Sequence, residues 1–369
     1  MIQKVDFIMM NSDKNIIIVA GGSGGHVFPA LSLYNHFLKK KMNPTIISDK
    51  RGIRFLGNLS NLKIEIISSS SVFGKNIFSL ILSSILILKS FFHSLILLFL
   101  KKPKLVIGMG GYTSFPVCIA AKILAIPIII YENNLIMGKT NKFLQLFAKK
   151  IFVAYSETAG ISKKNLEKII VTGNIIREEV LNYENINISN FEKEIKILVL
   201  GGSQAAKIFG EKLPNIFVKL RKNGIRIKVI QQCLKEQEVK IREIYSKNGI
   251  EFELFTFSEK ITSHFKKAEI VITRSGASVS AELLNCKIPF ISIPLPTSAD
   301  NHQYLNAKFF KDKGFCLMIL QNEIDKELFK LINQIVNDKS VINLIKKNHE
   351  KHSDRKVYEI IDEVLKKGI

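Results

Sequence analysis

One stretch near the amino terminus decides the fold: Asn15-Ile16-Ile17-Ile18-Val19-Ala20-Gly21-Gly22-Ser23-Gly24-Gly25-His26. The apolar run from 16 to 19 is typical of a buried parallel strand. From Val27 to Leu38, apolar side chains recur at helical spacing. A strand, a glycine turn and a helix in this order form an anion-binding site. Glycine lets the main chain approach a ligand, and the first N–H groups of a helix favour negative charge.

This stretch alone leaves two interpretations open. Gly22 and Gly24 match part of the dinucleotide-binding fingerprint, but Val27 stands where the third glycine belongs. Asp49, at the end of the next predicted strand, is a candidate for the acid that binds a ribose, so an NAD(P)-dependent oxidoreductase is one alternative. A second turn at 201–204, Gly-Gly-Ser-Gln, favours two nucleotide-type halves instead.

Predicted strands alternate with helices along both halves. They are 44–48, 63–67, 105–108, 126–130, 150–154 and 169–174 in the first half, and 195–200, 225–230, 251–255, 270–273 and 288–293 in the second. This alternation predicts a doubly wound parallel sheet in each half. The helix after the second glycine turn, 206–220, contains Pro214, which we expect to interrupt or bound it.

The segment Ile77–Leu100 is apolar at nearly every position and long enough for a membrane span. Lys89 and His93 near its middle argue against a span, since a charge at the bilayer centre costs ~2.5–3.5 kcal/mol. We predict two helices, Ile77–Leu88 and Phe91–Leu100. A buried helix pair and an apolar patch on the membrane surface both remain open, and the patch is favoured.

Composition limits the partners. With 54 Lys and Arg against 32 Asp and Glu, the net charge is +22, so nucleic acid, an anionic membrane and a phosphorylated substrate are the candidates. No RNA- or DNA-binding motif supports nucleic acid. The four cysteines are far apart and in apolar surroundings, which indicates reduced core residues rather than a disulfide or zinc site.

Seven motifs in order resemble the MurG family, the peptidoglycan UDP-N-acetylglucosamine transferases that act on undecaprenyl-linked lipid I. They are GGSGGHVFPAL (21–31), GMGGYTSFP (108–116), YENN (131–134), TGNIIR (172–177), GGSQAA (201–206), RSGASVSAEL (274–283) and DNHQYLNA (300–307). Each motif alone is weak, and seven in order across nearly the whole chain are specific.

The resemblance implies an α/β fold of the GT-B type, with two Rossmann-like domains that face each other across a cleft. Residues 14–177 would form the acceptor and membrane-side domain, completed by a helix at about 350–369. Residues 178–349 would form the UDP-GlcNAc-binding domain. The implied reaction moves GlcNAc from UDP-GlcNAc to the MurNAc 4-hydroxyl of lipid I, with inversion, and produces lipid II.

The resemblance also implies the residues that bind the donor. Ser203, Gln204 and the turn before them would hold the diphosphate with Arg177, and Glu282 would bind the ribose hydroxyls. Ser258 would contact uracil, and His302 and Gln303 would reach the sugar, with Asn134 on its other side. The remaining nucleotide-lining residues would be Ala277, Ser278, Val279, Ser280 and Ala281.

On the acceptor side, Ser23, Gly24 and Gly25 would face the lipid diphosphate and the GlcNAc. His26 is the leading candidate for the general base, because imidazole titrates near neutral pH and a helix N-terminus keeps it unprotonated. Glu132 is the second catalytic candidate, either assisting or orienting.

The resemblance implies neither a cofactor nor an essential metal, and the sequence has no Asp-x-Asp pair. The implied partners are UDP-GlcNAc, undecaprenyl-linked lipid I, an anionic membrane surface contacted through Ile77–Leu100, and proteins of cell-wall synthesis and division, but no nucleic acid. The implied location is peripheral, on the cytoplasmic face of the bacterial inner membrane.

Four positions depart from the family pattern. Tyr131 replaces a histidine, Ile175 replaces the proline of TGNP, and Ala205 replaces a glycine; Gln232 lies in a stretch without the expected glycine. Two further functions remain as alternatives: another UDP-sugar glycolipid transferase of the same superfamily, and a UDP-GlcNAc 2-epimerase.

Overall fold

The computed structural model describes residues 14–56, 62–68, 77–183, 194–202, 207–258 and 260–368, and only the backbone for 77–81. The chain divides into two compact units. The first comprises Met1–Arg177 with Asp354–Ile369, and the second comprises Glu178–Ser353. Each unit contains one parallel β-sheet.

The sheet of the first unit has the order β3-β2-β1-β4-β5-β6-β7. Its strands are β1 (Asn15–Val19), β2 (Asn43–Ser48), β3 (Ile64–Ile66), β4 (Leu105–Gly108), β5 (Ile128–Glu132), β6 (Lys150–Val153) and β7 (Ile169–Val171). The stretch 15–26 supplies the central strand β1, which pairs with β2 on one side and β4 on the other. Ile16, Ile17, Ile18 and Val19 are buried, as expected for a parallel strand covered on both faces.

The sheet of the second unit has the order β10-β9-β8-β11-β12-β13. Its strands are β8 (Ile195–Leu200), β9 (Ile227–Gln232), β10 (Glu251–Phe255), β11 (Ile270–Thr273), β12 (Phe290–Ser292) and β13 (Leu317–Met318). The predicted pair of parallel, doubly wound sheets is confirmed. Strand β13 was not predicted, because two residues are too short to show a period.

Helices flank both sheets. In the first unit they are α1 (Gly24–Lys39), α2 (Lys50–Ile53), α3 (Ile77–Lys101), α4 (Ser114–Ile123) and α5 (Lys139–Leu144). In the second unit they are α6 (Glu178–Leu181), α7 (Lys207–Lys222), α8 (Lys235–Lys247), α9 (Ile261–Phe265), α10 (Ala277–Asn285), α11 (His302–Asp312), α12 (Phe329–Asn337) and α13 (Ser340–His349). The C-terminal helix α14 (Val357–Lys366) belongs to the first unit.

Two helix predictions are wrong. The predicted pair Ile77–Leu88 and Phe91–Leu100 is one helix, α3, of 25 residues. It contains no glycine or proline, and Ser94 Oγ donates to the main-chain O of Ser90 at 2.6 Å, so the serines near the expected break bond within the helix. Pro214 lies inside α7. The buried face of α7 continues on both sides of it, so packing maintains the helix across the lost N–H bond.

The cysteines are core residues, as predicted. All four are buried, and none of them is paired in a disulfide. Burial raises the pKa of the Cys118 thiol to about 12, so it carries no thiolate at neutral pH.

Candidate active site

In each unit the strand order reverses at the central strand, beside β4 in the first sheet and beside β11 in the second. Open α/β sheets bind their ligands at the carboxyl ends of strands at such a point. Every predicted site residue that the structure describes lies at or after the carboxyl end of a strand. Ser203 and Gln204, which follow β8, lie outside the described residues.

Asp49 braces the glycine turn after β1. Its Oδ1 accepts from the main-chain N–H groups of Gly22 at 2.9 Å and Gly52 at 2.8 Å. Its Oδ2 accepts from the Arg51 guanidinium at 2.8 Å. Both carboxylate oxygens are therefore engaged by the protein, which gives Asp49 a structural role and does not favour the ribose-binding acid of a dinucleotide site.

The imidazole of His26 lies between its own loop and the glycine loop after β4. Its Nδ1 is 3.4 Å from Ser23 Oγ. A Cβ at Gly110 would lie 3.1 Å from Nε2, and a Cβ at Gly111 would lie 3.2 Å from Nδ1. Both glycines have positive φ, 89° and 75°, a conformation that side chains disfavour. The glycine turn at 21–25 and the glycine-containing motif at 108–116 thus meet around one histidine.

Pro29, inside α1, links this loop to the end of β5. A proline has no N–H, so it cannot make the helical bond to the carbonyl of Gly25, four residues earlier. That carbonyl instead accepts from Asn133 Nδ2 at 3.0 Å, and Asn133 is buried. Because Pro29 leaves the Gly25 carbonyl without its helical donor, that carbonyl can accept from Asn133, and this hydrogen bond connects the glycine loop to residues 131–134.

Glu132 organises that cluster. Its Oε1 accepts from Asn134 N at 3.1 Å and Asn134 Nδ2 at 2.8 Å, and its Oε2 accepts from Gly138 N at 2.9 Å and Asn141 Nδ2 at 3.0 Å. The side chain is buried. A carboxylate that accepts four hydrogen bonds is held in one orientation, and this geometry suits the orienting role among those predicted. Asn134 is held by it directly.

Arg177 ends the first unit. Its guanidinium carbon lies 5.5 Å from the centre of the Phe28 ring, within range of a cation–π contact. The Phe28 ring in turn covers the start of α1, since a Cβ at Gly24 would lie 2.8 Å from Phe28 Cε2. Arg177 is thus held near the helix N-terminus that carries Ser23, Gly24 and Gly25.

In the second unit, Gln232 braces the turn after β8. Its Oε1 accepts from Gly201 N at 3.1 Å, and its Nε2 donates to Thr256 O at 3.1 Å. One side chain thereby ties together the loops that follow β8 and β10. The sequence marked this position only as a departure from the family pattern; an amide at a strand end was the available signal.

Helix α10 begins directly after the β11 loop, with Gly276 as its N-cap residue. Ala277, Ser280 and Ala281 are buried, and Ser278 and Val279 are partly buried. Glu282, in the second turn, is buried as well, with 5% of its surface exposed. The carbonyl of Ser275, just before the helix, accepts from Asn306 Nδ2 at 3.2 Å, so α11 helps to fix the loop.

Arg274 was not among the predicted site residues. Its guanidinium donates to the main-chain O of Ile293 and of Pro294, each at 3.2 Å, and to Gln321 Oε1 at 2.6 Å. It also lies 4.8 Å from the centre of the Phe209 ring. Burial lowers the pKa of this guanidinium to about 10, so it stays charged at neutral pH. A cation held by neutral oxygens gives the end of β11 a positive potential.

His302 and Gln303 begin α11 after two residues, Asp300 and Asn301, with left-handed φ of 49° and 54°. His302 Nδ1 lies 2.7 Å from Ala299 O, and Gln303 Oε1 accepts from the main-chain N of Leu295 at 3.0 Å. The Gln303 carboxamide is thus oriented by its carbonyl. Ser258 lies partly buried after β10.

Comparison with known proteins decides the family. Residues 16–153 match the N-terminal domain of glycosyltransferase family 28, and residues 196–364 match its C-terminal domain. A relative from Rickettsia felis, named UDP-N-acetylglucosamine--N-acetylmuramyl-(pentapeptide) pyrophosphoryl-undecaprenol N-acetylglucosamine transferase, is 38% identical over 355 residues, which cover 92% of this chain and 97% of the relative. The chain belongs to glycosyltransferase family 28. The predicted MurG resemblance is confirmed, and the protein is a glycosyltransferase.

Solved structures agree on the fold of this family 28 chain. The crystal structure of Acinetobacter baumannii MurG superposes with a TM-score of 0.75 at 24% identity, covering 96% of this chain and 99% of the other. A UDP-N-acetylglucosamine 2-epimerase superposes with a TM-score of 0.66 at 15% identity and covers 96% of each chain. At these identities both likenesses concern the fold alone.

Proposed function

We propose that this glycosyltransferase moves GlcNAc from UDP-GlcNAc to the 4-hydroxyl of MurNAc in undecaprenyl-pyrophosphoryl-MurNAc-pentapeptide, with inversion at the anomeric carbon. The observation that carries this proposal is the 38% identity to a relative of that name over 92% of the chain. The epimerase alternative rests on a likeness at 15% identity, which concerns only the fold.

The second unit binds the donor in this proposal. Departure of UDP requires stabilisation of the charge that develops on the diphosphate. The N-terminus of α10 and the turn that includes Ser203 and Gln204 would supply N–H groups, and Arg274 adds a fixed positive potential. The Glu282 carboxylate would accept hydrogen bonds from the ribose hydroxyls. The other donor contacts proposed are Arg177, Asn134, Ser258, Ala277, Ser278, Val279, Ser280, Ala281, His302 and Gln303.

The first unit binds the lipid diphosphate and the accepting sugar. Ser23, Gly24 and Gly25 would hold the acceptor at the start of α1, where helix N–H groups favour an anion. His26 would remove the proton from the 4-hydroxyl as that oxygen attacks the anomeric carbon. Glu132 would act through the cluster that it orients rather than by contacting the sugar.

We propose no metal requirement, so an excess of EDTA should leave the rate unchanged.

Kinetics with a soluble lipid I analogue test these roles. We expect Glu282→Ala to raise the KM for UDP-GlcNAc at least tenfold, because two ribose hydroxyls lose a charged acceptor. We expect His26→Ala to lower kcat about 100-fold with little change in donor KM, as loss of a general base does. Glu211→Ala and His352→Ala, outside the proposed site, should leave both constants unchanged. Near-normal kinetics in both site variants would contradict the assignment.

We further propose that the protein acts while attached to the cytoplasmic face of the membrane through one face of α3. Among the described residues, α3 is the one helix long and apolar enough to cross a membrane by length and composition. Its outward face carries large apolar side chains, while its buried face carries small residues and one leucine. The exposed set is Leu82, Ile85, Leu88, Phe92, Ile96, Phe99 and Leu100; the buried set is Ser83, Ser90, Ser94 and Leu98.

This distribution supports attachment to the surface over a span. The buried face packs on the first unit, where Leu98 joins the core, and a span would expose that face to lipid. Lys89 and His93 lie on the exposed face, and Lys102 and Lys104 follow the helix. Ile123 in α4, Phe143 in α5 and Leu146 in the turn after α5 are also exposed apolar residues of the first unit. An apolar face edged by lysines suits an anionic phospholipid surface. Association with other cell-wall synthesis and division proteins there is part of the same proposal.

Vesicle flotation tests the attachment. The triple variant Leu88→Ser, Phe92→Ser, Ile96→Ser should lose most of its binding to phosphatidylglycerol vesicles, because three exposed apolar side chains are removed. The matched control, Val239→Ser with Leu344→Ser, changes equally exposed apolar residues of the second unit and should float like the wild type. Equal flotation of the triple variant would contradict the proposal.

A further inference from the structure

The four residues before Arg177, Gly173 to Ile176, form what we call the crossover segment, because Arg177 is the last residue before the chain enters the second unit. Polar side chains from three other places hold it. Tyr155 Oη accepts from Asn174 Nδ2 at 3.0 Å. Asp354 accepts from Asn174 N at 2.9 Å, and Tyr358 Oη donates to the main-chain O of Ile176 at 2.7 Å. The segment is thus fixed, although it has no regular secondary structure.

The fourth partner is Tyr131, at the end of β5. Its hydroxyl accepts from the main-chain N–H of Ile175 at 2.9 Å and lies 3.5 Å from the carbonyl O of Gly173. Tyr131 and Ile175 are each about 2% exposed. These are two of the positions that the sequence set apart as departures from the family pattern, and in the structure they contact each other. A proline at 175 would have no N–H to donate. The hydrogen bond from the Ile175 N–H to the Tyr131 hydroxyl therefore requires both departures.

Tyr131 also belongs to the Glu132 cluster. Asn141 Nδ2 donates to the main-chain O of Tyr131 at 2.9 Å and to Glu132 Oε2 at 3.0 Å. The same residue therefore touches the cluster through its backbone and the crossover segment through its side chain. Arg177 lies two residues beyond the bonded N–H.

We propose that Tyr131 is a positioning residue for Arg177, and that its bond to the Ile175 N–H fixes the arginine for a diphosphate ligand. This rests on the proposed function, in which the ligand is the diphosphate of UDP. The lipid acceptor also carries a diphosphate, so the chemistry admits two sources. Loss of the hydroxyl leaves a buried N–H without its acceptor, which the segment relieves by moving.

A double-mutant cycle tests the coupling. The variants are Tyr131→Phe, Ile175→Pro and both together, with UDP affinity measured by calorimetry, KM for each substrate, kcat and urea unfolding. The matched control is Tyr34→Phe: Tyr34 is equally buried in the same unit, and its hydroxyl accepts from the main-chain N–H of Lys63 at 3.0 Å. It removes the same kind of bond away from Arg177.

We expect Tyr131→Phe to weaken UDP binding and raise the UDP-GlcNAc KM about five- to tenfold, with the acceptor KM within about twofold. Tyr34→Phe should lose a similar amount of stability, but its UDP affinity and its KM for UDP-GlcNAc should stay unchanged. In the Ile175→Pro background, Tyr131→Phe should add less than about twofold, since the N–H is already absent. A rise in acceptor KM alone would overturn the assignment to UDP, and additive effects or equal effects of Tyr34→Phe would overturn the positioning role. A wild type that binds UDP but transfers no GlcNAc would refute the proposed function, and the UDP affinities would still decide the coupling.

Discussion

At the residue scale, His26 depends on two neighbours that have no side chain. Gly110 and Gly111 let the main chain of the glycine loop after β4 lie against the imidazole, at a distance where a Cβ would contact the ring nitrogens. This close fit adds to the contact of His26 Nδ1 with Ser23 Oγ at 3.4 Å. The loop geometry therefore controls the angle at which His26 meets a substrate.

Gly110→Ala should lower kcat about 100-fold, because the methyl group displaces the imidazole and misplaced catalytic groups lose rate steeply. It should also cost about 1–2 kcal/mol of stability, the penalty for a side chain at positive φ. Gly224→Ala is the matched control: its φ is +84° and nothing lies within 4 Å of the added Cβ. It should show the stability loss in urea unfolding with unchanged kcat. Equal activity of the two variants would argue against the positioning of His26 by the loop.

His349 makes the second unit sensitive to acid. It is fully buried, and its Nε2 lies 2.6 Å from Phe315 O. Burial lowers the pKa of this imidazole to about 4. The unfolded chain, with an ordinary histidine pKa near 6.5, binds the proton more readily, so stability falls as the pH decreases from about 6.5 to 4. The loss attributable to His349 is about 3 kcal/mol at most.

Urea unfolding at pH 7.5 and 4.5 measures this effect. The wild type should lose more stability than His349→Gln between these values, whereas the exposed control His93→Gln should follow the wild type. The same pH dependence in the wild type and His349→Gln would contradict the account.

The sequence located candidate residues that lie in a local motif and missed residues whose contacts join distant loops. His26 follows its glycines directly, so the motif sufficed to place it at the glycine loop; its catalytic role stays a prediction. Gln232 and Asp49 brace turns that are about 30 residues away in sequence, and no local pattern reports such a bond. Glu132 had the residue type of a catalyst, but its four hydrogen bonds became visible only in the structure.

At the element scale, α3 shows why a local pattern misplaced a boundary. Ser90 and Lys89 interrupt the apolar run and predicted a break between two helices. In the structure Ser90 faces the first unit and Lys89 faces outward, so both fit one continuous helix. Hydropathy along the chain does not distinguish a buried serine from an exposed one.

The C-terminal helix α14 is bonded to α1 by a charged cluster. Asp362 Oδ1 lies 2.8 Å from His36 Nε2, and its Oδ2 lies 2.7 Å from Lys40 Nζ. The His36 ring also stacks on Tyr358 at 4.5 Å. Partial burial acts to raise the pKa of Asp362, but the bonds to Lys40 and His36 prevail and lower it.

Asp362→Asn should reduce the free energy of unfolding of the first unit by about 1 kcal/mol at pH 7, because a partly buried pair loses its charge. Since the carboxylate pKa is lowered in the folded state, this contribution is present above about pH 4 and disappears at lower pH. Asp312→Asn, which breaks an exposed pair with Lys308, is the control and should change stability by less than about 0.5 kcal/mol. Indistinguishable urea midpoints for the two variants would refute the bonding role.

At the scale of the whole molecule, alternation of strands and helices and two glycine turns were enough to predict two parallel sheets. The turns after β1 and β8 occupy equivalent places in the two sheets, next to the reversal of strand order. The net charge of +22 was consistent with three classes of anionic partner and did not distinguish among them, because net charge does not report where on the surface the charges lie.

The proposed function depends on the identity of the sugar donor and of the acceptor, which a transfer assay measures. Purified protein is incubated with radiolabelled UDP-GlcNAc, UDP-galactose or UDP-glucose, each with a polyprenyl-pyrophosphoryl-MurNAc-pentapeptide acceptor, with diacylglycerol, or with no acceptor. We expect label transfer only from UDP-GlcNAc to the polyprenyl acceptor. Transfer to diacylglycerol, or conversion of UDP-GlcNAc to its 2-epimer without an acceptor, would contradict it.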